Sequence, residues 1–167
     1  MKNDNLNLVA QLLIKHKLHI AFAESATAGR LAAEFSLLED AGDFLMGAFV
    51  CYDACLKENV LAIPHELIEE YTPESMEVTK AIALGLQKLI DSDIYVGVTG
   101  LPAAGGSESE HKPVGTMFIY GFHHKLKIFS KRVVLTGTPE QIILKTVDEV
   151  GNLLKKYLLQ LDANSSI

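Results

Sequence analysis

Cysteine is scarce: Cys51 and Cys55 are the only two in 167 residues. That excludes a disulfide scaffold, which needs more cysteines in a shorter secreted chain. A C-x3-C spacing without further cysteines or a nearby histidine pair is also a poor zinc site. Cys51, between Val50 and Tyr52, reads as a small buried hydrophobe, and Cys55 as a residue at a helix start. Basic clusters are missing too. Lys131-Arg132 and Lys155-Lys156 are short pairs in a chain of net charge -6. Duplex binding needs several phosphate-neutralising cations on one face, so no nucleic-acid partner is expected. No segment approaches the roughly 18 apolar residues of a membrane span. The opening MKNDNLNLVAQLL carries acid and amide groups where a signal peptide needs a basic start. A soluble, cytoplasmic protein is expected. The six histidines form neither H-E-x-x-H nor a paired helical spacing, so no metal is expected.

What is present is an ordinary globular balance, 49% apolar and 22% charged, in a length suited to one domain over residues 1–167. Val9, Leu12, Leu13 and His16 follow the i, i+3, i+4, i+7 pattern of a first helix. LHIAFAE (18–24) reads as a strand that turns directly into the helix TAGRLAAEFSLL. Residues 45–52 form a second strand, followed at once by a helix over DACLKENVLAI. Thr72-Pro73 reads as an N-cap with an N1 proline, opening a helix whose inner stripe is Val78, Ala81, Ile82, Gly85 and Leu89. IYVGV (94–98) is a third strand, ending at Thr99-Gly100. The stretch 100–115, GLPAAGGSESEHKPVG, is a long loop of the kind that is often functional. TMFIYGF and LKIFSKRVVL flank His123-His124-Lys125 as a hairpin. Thr138-Pro139-Glu140-Gln141 is a capping box for a last helix lined by Ile143, Val147, Val150, Leu154 and Leu158, with a frayed DANSSI tail.

Strands separated by helices pair in parallel, and the hairpin adds antiparallel character. The expected fold is therefore α/β, a mixed, mostly parallel five-stranded sheet between helical layers. In such sheets the pocket lies beyond the carboxyl ends of the parallel strands. That rule gathers Glu24-Ser25, Tyr52-Asp53 and Thr99-Gly100 on one rim.

Ser25 and Thr27 flank the first strand-to-helix turn, with Gly29 close behind. They either frame an anion site at a helix start or simply cap that helix. GVTGLPAAGG offers further backbone donors but lacks both the G-K-S/T ending of a Walker loop and a G-x-G-x-x-G fingerprint. Lys57 is either a surface lysine or, in a partly dry pocket, a general base, with Tyr52 relaying a proton. The Tyr-Lys spacing is one residue longer than in short-chain dehydrogenases, and their glycine fingerprint is missing, so that chemistry is excluded.

Four stretches, AESATAG (23–29), FVCYDACLK (49–57), GVTGLPAAGG (97–106) and KPVGTMF (112–118), resemble in order and character the signatures of CinA C-terminal domains. The resemblance covers nearly the whole chain. It implies a three-layer α/β/α sandwich, a homo-oligomer, and metal-free hydrolysis of nicotinamide mononucleotide to nicotinate mononucleotide and ammonia. It also implies a serine attacking the carboxamide, activated by lysine and tyrosine at the positions of Lys57 and Tyr52. Ser25, Thr27, Gly100 and the segment 112–116, with Lys112 and Thr116, match positions that shape the nucleotide pocket. Gly29, Thr99, Gly105 and Gly106 belong to the same motifs and complete the expected binding set. By this resemblance the nucleophilic serine lies ten residues before the tyrosine, a position held here by Gly42. The expectation is then an amidohydrolase that recruits water, Ser25 or Ser36 instead, or an inactive or redirected nucleotide-binding relative. The resemblance further places a phosphate-binding arginine on the last helix, where this chain offers Lys145.

Overall fold

The computed structural model describes residues 4–164, and its five strands form one sheet in the order β2-β1-β3-β4-β5. The elements run α1 (Asp4–Lys15), β1 (Ile20–Glu24), α2 (Arg30–Ser36), β2 (Leu45–Val50), α3 (Ala54–Asn59), α4 (His65–Tyr71), α5 (Met76–Leu86), β3 (Ile94–Gly100), β4 (Thr116–His123), β5 (Leu126–Val134) and α6 (Pro139–Asn164). A single 3-10 turn, Ala41–Asp43, precedes β2. β1 pairs in parallel with both β2 and β3, while β4 runs antiparallel to β3 and to β5, so only β4 is reversed. The mixed, mostly parallel sheet expected from the sequence is the one observed.

The period-two pattern of the central strands divides the interior into two layers. Ile20 and Phe22 of β1, with Ile94, Val96 and Val98 of β3, pack under α1, α2 and α6 against Leu13, Leu31, Phe35, Val150 and Leu154. Ala21, Ala23 and Tyr95 face the other way, toward Leu61, Ile68, Val78, Ile82 and Leu86 of the α3–α5 layer. Burying each large aliphatic or aromatic side chain contributes about 1.5–3 kcal/mol, which makes this strand parity the main determinant of the register. α5 lies directly on β3 at Gly97, where a Cβ would stand 2.5 Å from the Thr79 carbonyl oxygen.

Several boundaries differ from the sequence reading. α2 begins only at Arg30, because residues 25–29 form a turn, closed by Gly29 at φ 93. The helix α4 was not anticipated: Ile68 is its only buried residue, so it carries no apolar stripe. α5 is capped by Ser75, whose Oγ accepts from the Val78 amide at 3.2 Å, not by Thr72, which closes α4 at φ 69. α5 therefore ends at Leu86, leaving Leu89 exposed. The capping box of α6 is reciprocal, the Thr138 amide donating to Gln141 Oε1 at 2.9 Å and the Gln141 amide to Thr138 Oγ1 at 3.3 Å. Ile142, rather than Ile143, is the residue this start buries deeply. Of the tail expected to fray, 162–164 continue the helix and 165–167 lie outside the described residues. Among the described residues no helix is long and apolar enough to cross a membrane.

Candidate functional site

Glu24 is the last paired residue of β1, opposite Val50 on one side and Val98 on the other. The next rung therefore sets Ser25 between Cys51 and Thr99. Two bonds hold that rung: the Ser25 amide donates to the Val98 carbonyl at 3.0 Å, and the Cys51 amide to the Glu24 carbonyl at 2.8 Å. Alternation along the strands turns Ser25, Cys51 and Thr99 toward α3 and α5, and Glu24 toward α2. Thr99 Oγ1 lies 2.8 Å from Thr79 Oγ1 of α5, in keeping with that assignment. Ser25 is only 8% exposed, and no hydrogen bond to another described residue engages its hydroxyl.

Lys57 reaches the same rung. Asp53 starts α3 by accepting from the Cys55 amide at 2.8 Å, and that hydrogen bond holds its carboxyl below the usual range. One turn later Lys57 points back toward the strand ends, as helical side chains do. It is 1% exposed, and its Nζ donates to the carbonyls of Cys51 at 2.8 Å and Tyr52 at 3.2 Å. Burial lowers its pKa, opposed by Cys51, Glu74, Asp53 and Cys55. Lys57 is therefore a buried amine at the strand ends and not a surface lysine. Cys51 is no rival nucleophile. Burial pushes its thiol up to about 11, so thiolate is a minute fraction at neutral pH.

The opposite face explains the first motif. The buried Glu24 carboxylate accepts from Thr27 Oγ1 at 2.7 Å, from the amides of Gly29 and Leu31 at 3.0 Å, and from the Ala32 amide at 2.9 Å. The start of α2 is occupied by the protein's own anion, with Thr27 and Gly29 as its holders. It is neither an open anion site nor capped by Ser25 or Thr27. The sequence placed Glu24 on the rim without indicating this role. The available signal was an acid closing an otherwise apolar strand, with threonine three residues on and glycine five residues on.

The long loop is tied down at both ends. Gly115 donates to the Leu101 carbonyl at 2.7 Å and Leu101 to the Thr116 carbonyl at 2.9 Å, closing its neck. Gly100 sits so close to β4 that a Cβ would meet Thr116 O at 2.7 Å. Lys112 Nζ donates to Thr72 Oγ1 at 2.5 Å, Glu74 O at 2.9 Å and Ser107 Oγ at 2.6 Å, and Ser107 in turn donates to the Glu74 carboxylate. Burial lowers the Lys112 pKa as well, against the pull of Glu74. Thr116 Oγ1 is committed to Pro113 O at 2.7 Å. Lys112 and Thr116 thus hold the loop in place. Gly106 packs toward Leu101 and Glu74, while Gly105 is exposed and donates to Glu108 Oε1 at 2.8 Å. Glu74 and Ser107 were not singled out from the sequence, because their partners lie 33 or more residues away or depend on the loop's path.

Tyr52 and Gly42 stand apart. The Tyr52 side chain is 66% exposed, and it is the backbone carbonyl that meets Lys57. Gly42 is exposed in the turn before β2, at the amino end of a strand whose carboxyl end leads to Tyr52. The six residues of that strand span roughly 20 Å. Within this chain Gly42 and Tyr52 thus stand at opposite ends of β2. Ser36 is also remote in role, its hydroxyl donating to Ala33 O at 2.8 Å at the end of α2. A cleft of about 460 Å³ does touch Thr27, Gly29 and Arg30, but it lies between α2 and the start of α6, at Glu140 and Ile143, and does not include Lys57. Lys145 Nζ, near that end of α6, is bonded to Thr136 O at 2.5 Å. Among the described residues no group of three or more His, Cys, Asp or Glu side chains is placed to hold a metal ion.

The model of the CinA C-terminal domain matches residues 3–158. The chain belongs to this family. A competence-damage inducible protein of Thermoanaerobacter pseudethanolicus is 32% identical over 152 residues, 91% of this chain and 36% of the relative. A CinA-like protein of Prochlorococcus marinus is 37% identical over 121 residues, 71% of this chain and 28% of the relative. The chain thus spans about a third of the length of the curated relatives it matches. Among solved structures, the competence damage-inducible protein A of Klebsiella pneumoniae superposes with a TM-score of 0.88 at 26% identity, covering 93% of this chain and 96% of that one. A CinA superfamily protein from Klebsiella pneumoniae gives the same TM-score, 0.88, at 24% identity. These likenesses identify the CinA C-terminal domain and its three-layer fold.

Proposed function

We propose that this CinA-family domain is an amidohydrolase that cleaves a pyridine-nucleotide carboxamide of the nicotinamide mononucleotide type, with Ser25 as nucleophile and Lys57 as base. The observation that carries the reading is the shared rung: a buried Lys57 amine at the Cys51 carbonyl, beside a serine whose hydroxyl is unengaged. In this scheme neutral Lys57 takes the Ser25 proton, directly or through one water, as Oγ attacks the carboxamide carbon. The C–N bond then breaks, the lysine proton passes to the departing nitrogen, and ammonia leaves an acyl-serine ester. Water, deprotonated by the regenerated amine, hydrolyses that ester, releasing the carboxylate and restoring the serine. Burial lowers the lysine pKa, the direction in which an amine becomes available as a base. Tyr52, exposed beside Lys57, is assigned to cover the reacting amide and assist proton movement once substrate is bound.

A second reading, nucleotide binding without turnover, draws on Tyr52 standing open and on Lys145 replacing the arginine expected on α6. One experiment separates the two: ammonia release from nicotinamide mononucleotide by the intact protein and by Ser25→Ala and Lys57→Met. Turnover lost in both variants is the expected result. Full turnover in Ser25→Ala removes Ser25 from the mechanism. Calorimetric binding with no turnover in the unaltered protein establishes the second reading instead.

A further inference from the structure

The hydrogen bonds of the turn after Ser25 leave two donors over. The Ser25 amide is bound to Val98 O, Ala28 to Ser25 O, Arg30 to Thr27 O and Ala33 to Gly29 O. The Gly29, Leu31 and Ala32 amides all end on the Glu24 carboxylate. Between them, the amides of Ala26 and Thr27 have no acceptor among the described residues, although the two residues are only 5% and 1% exposed. Unpaired backbone N–H groups in buried residues are rare, and two in succession require a reason. The start of α2 is already filled by Glu24, so helix capping does not supply it. The second observation beside these amides is the Ser25 hydroxyl, on a residue only 8% exposed, with no hydrogen-bond partner among the described residues and its Oγ reachable from solvent.

We propose that the backbone amides of Ala26 and Thr27 form the oxyanion hole of the Ser25 reaction. The inference rests on the reading of Ser25 as nucleophile. When Oγ bonds to the carboxamide carbon, the carbonyl π pair moves onto oxygen. That oxygen forms within reach of the chain immediately following the serine, where the two free N–H groups are. On collapse of the tetrahedral intermediate the pair returns to the carbonyl as the C–N bond breaks. Donors fixed in advance stabilise this charge without reorganising during the reaction. Glu24 does the fixing. It ties down Thr27 Oγ1 and the amides of Gly29, Leu31 and Ala32 on the far face of the sheet. The turn is thereby held from below while its two remaining amides keep no acceptor among the described residues.

The test uses uniformly 15N-labelled full chain and 3-pyridylboronic acid, which adds to a nucleophilic serine as a tetrahedral, negatively charged boronate. The 11B signal reports whether the adduct forms, and Ser25→Ala reports whether it forms on Ser25. The expected result is an adduct dependent on Ser25, with the Ala26 and Thr27 amide protons moving downfield more than any others. An adduct on Ser25 that leaves those two amides unmoved overturns the oxyanion assignment while the nucleophile stands. No adduct on Ser25 overturns both. A kinetic arm uses Ala26→Pro, which deletes one N–H at a residue without positive φ and after a strand-end residue that tolerates a following proline. If the variant folds, kcat falls by about 10²–10³ with little change in KM. A folded Ala26→Pro with kcat within about threefold of the parent overturns the proposal, whatever the NMR arm gives for Thr27.

Discussion

Glu24→Gln isolates the carboxylate that organises the first turn. Three donors converge on Oε2 and one on Oε1. Glutamine keeps the shape and one oxygen. If that oxygen takes the Oε2 position, its NH2 group confronts the Ala32 amide, donor against donor. The part-buried Ala32 amide is then unpaired, which costs up to about 1–3 kcal/mol. Loss of the negative charge at the start of α2 removes a further ~0.5–2 kcal/mol. The sum is on the order of 3 kcal/mol, well inside the 5–15 kcal/mol that such domains usually possess. The variant should fold and melt roughly 6–12 °C lower, at about 2–4 °C per kcal/mol for a chain of this size.

Urea denaturation followed by circular dichroism, with an unchanged slope, gives the free-energy difference directly. Thr27→Val removes one donor to the same oxygen. The double variant should lose less than the sum of the singles, because both act through one carboxylate. A Glu24→Gln loss below about 1 kcal/mol, or strictly additive effects, would refute the picture of a carboxylate cage.

Three further outcomes test the rest of the site. Lys57→Met should abolish ammonia release and also change how stability depends on pH. Because burial lowers the folded-state pKa of Lys57, the unfolded chain holds a proton the folded one lacks between that lowered value and the ordinary lysine value of 10.5. Stability contributed by this group therefore rises with pH through that window and is lowest below it, and the difference from Lys57→Met should lose that rise. Lys112→Met should free the 101–115 loop, giving faster proteolytic cleavage there and a raised KM; unchanged cleavage would mean that the bonds to Thr72, Glu74 and Ser107 do not restrain it. Gly42→Ser should fold normally, since a Cβ there meets nothing within 4 Å, and should leave turnover unchanged. A gain of activity would return position 42 to the mechanism.

Much of this was legible in the chain because strands and caps are local. IAFAE and IYVGVTG announce their own burial, and the Thr138-Gln141 box closes as its spacing says. The Ser25 and Thr99 positions followed from the rule that pockets form at the carboxyl ends of parallel strands. What failed was non-local or depended on conformation. Thr72 looked like a cap, but it closes α4 at φ 69, and Ser75, three residues on, accepts from the Val78 amide and caps α5. Lys112 was expected to shape the nucleotide pocket, and its tether was not legible because its partners Thr72 and Glu74 lie 40 and 38 residues earlier. The role of Glu24 was not legible because an acid at a strand end ordinarily meets water, whereas here the chain folds back and supplies four donors.

The adjacency of Glu24 and Ser25 has a physical consequence for how rate and stability are linked. Successive residues of a pleated strand project to opposite faces, so the acid and the hydroxyl cannot serve the same layer. One holds α2 and the turn; the other stands on the rung of Cys51 and Thr99. A slip of one residue would bury a carboxylate beside Cys51 and turn the serine into the α2 cage. That change strands both the anion and the helix amides, so the register is enforced by the chemistry of both faces as well as by packing. The two faces nevertheless share one backbone. Loosening the Glu24 cage should reduce stability and turnover together, because the turn that presents Ser25 is the turn the carboxylate holds. Removing the Lys57 amine should eliminate turnover without a matching loss of stability, since a desolvated ammonium is unfavourable in the folded state. Different slopes of activity against stability for the two sets of variants would therefore separate the residue that positions the serine from the residue that activates it.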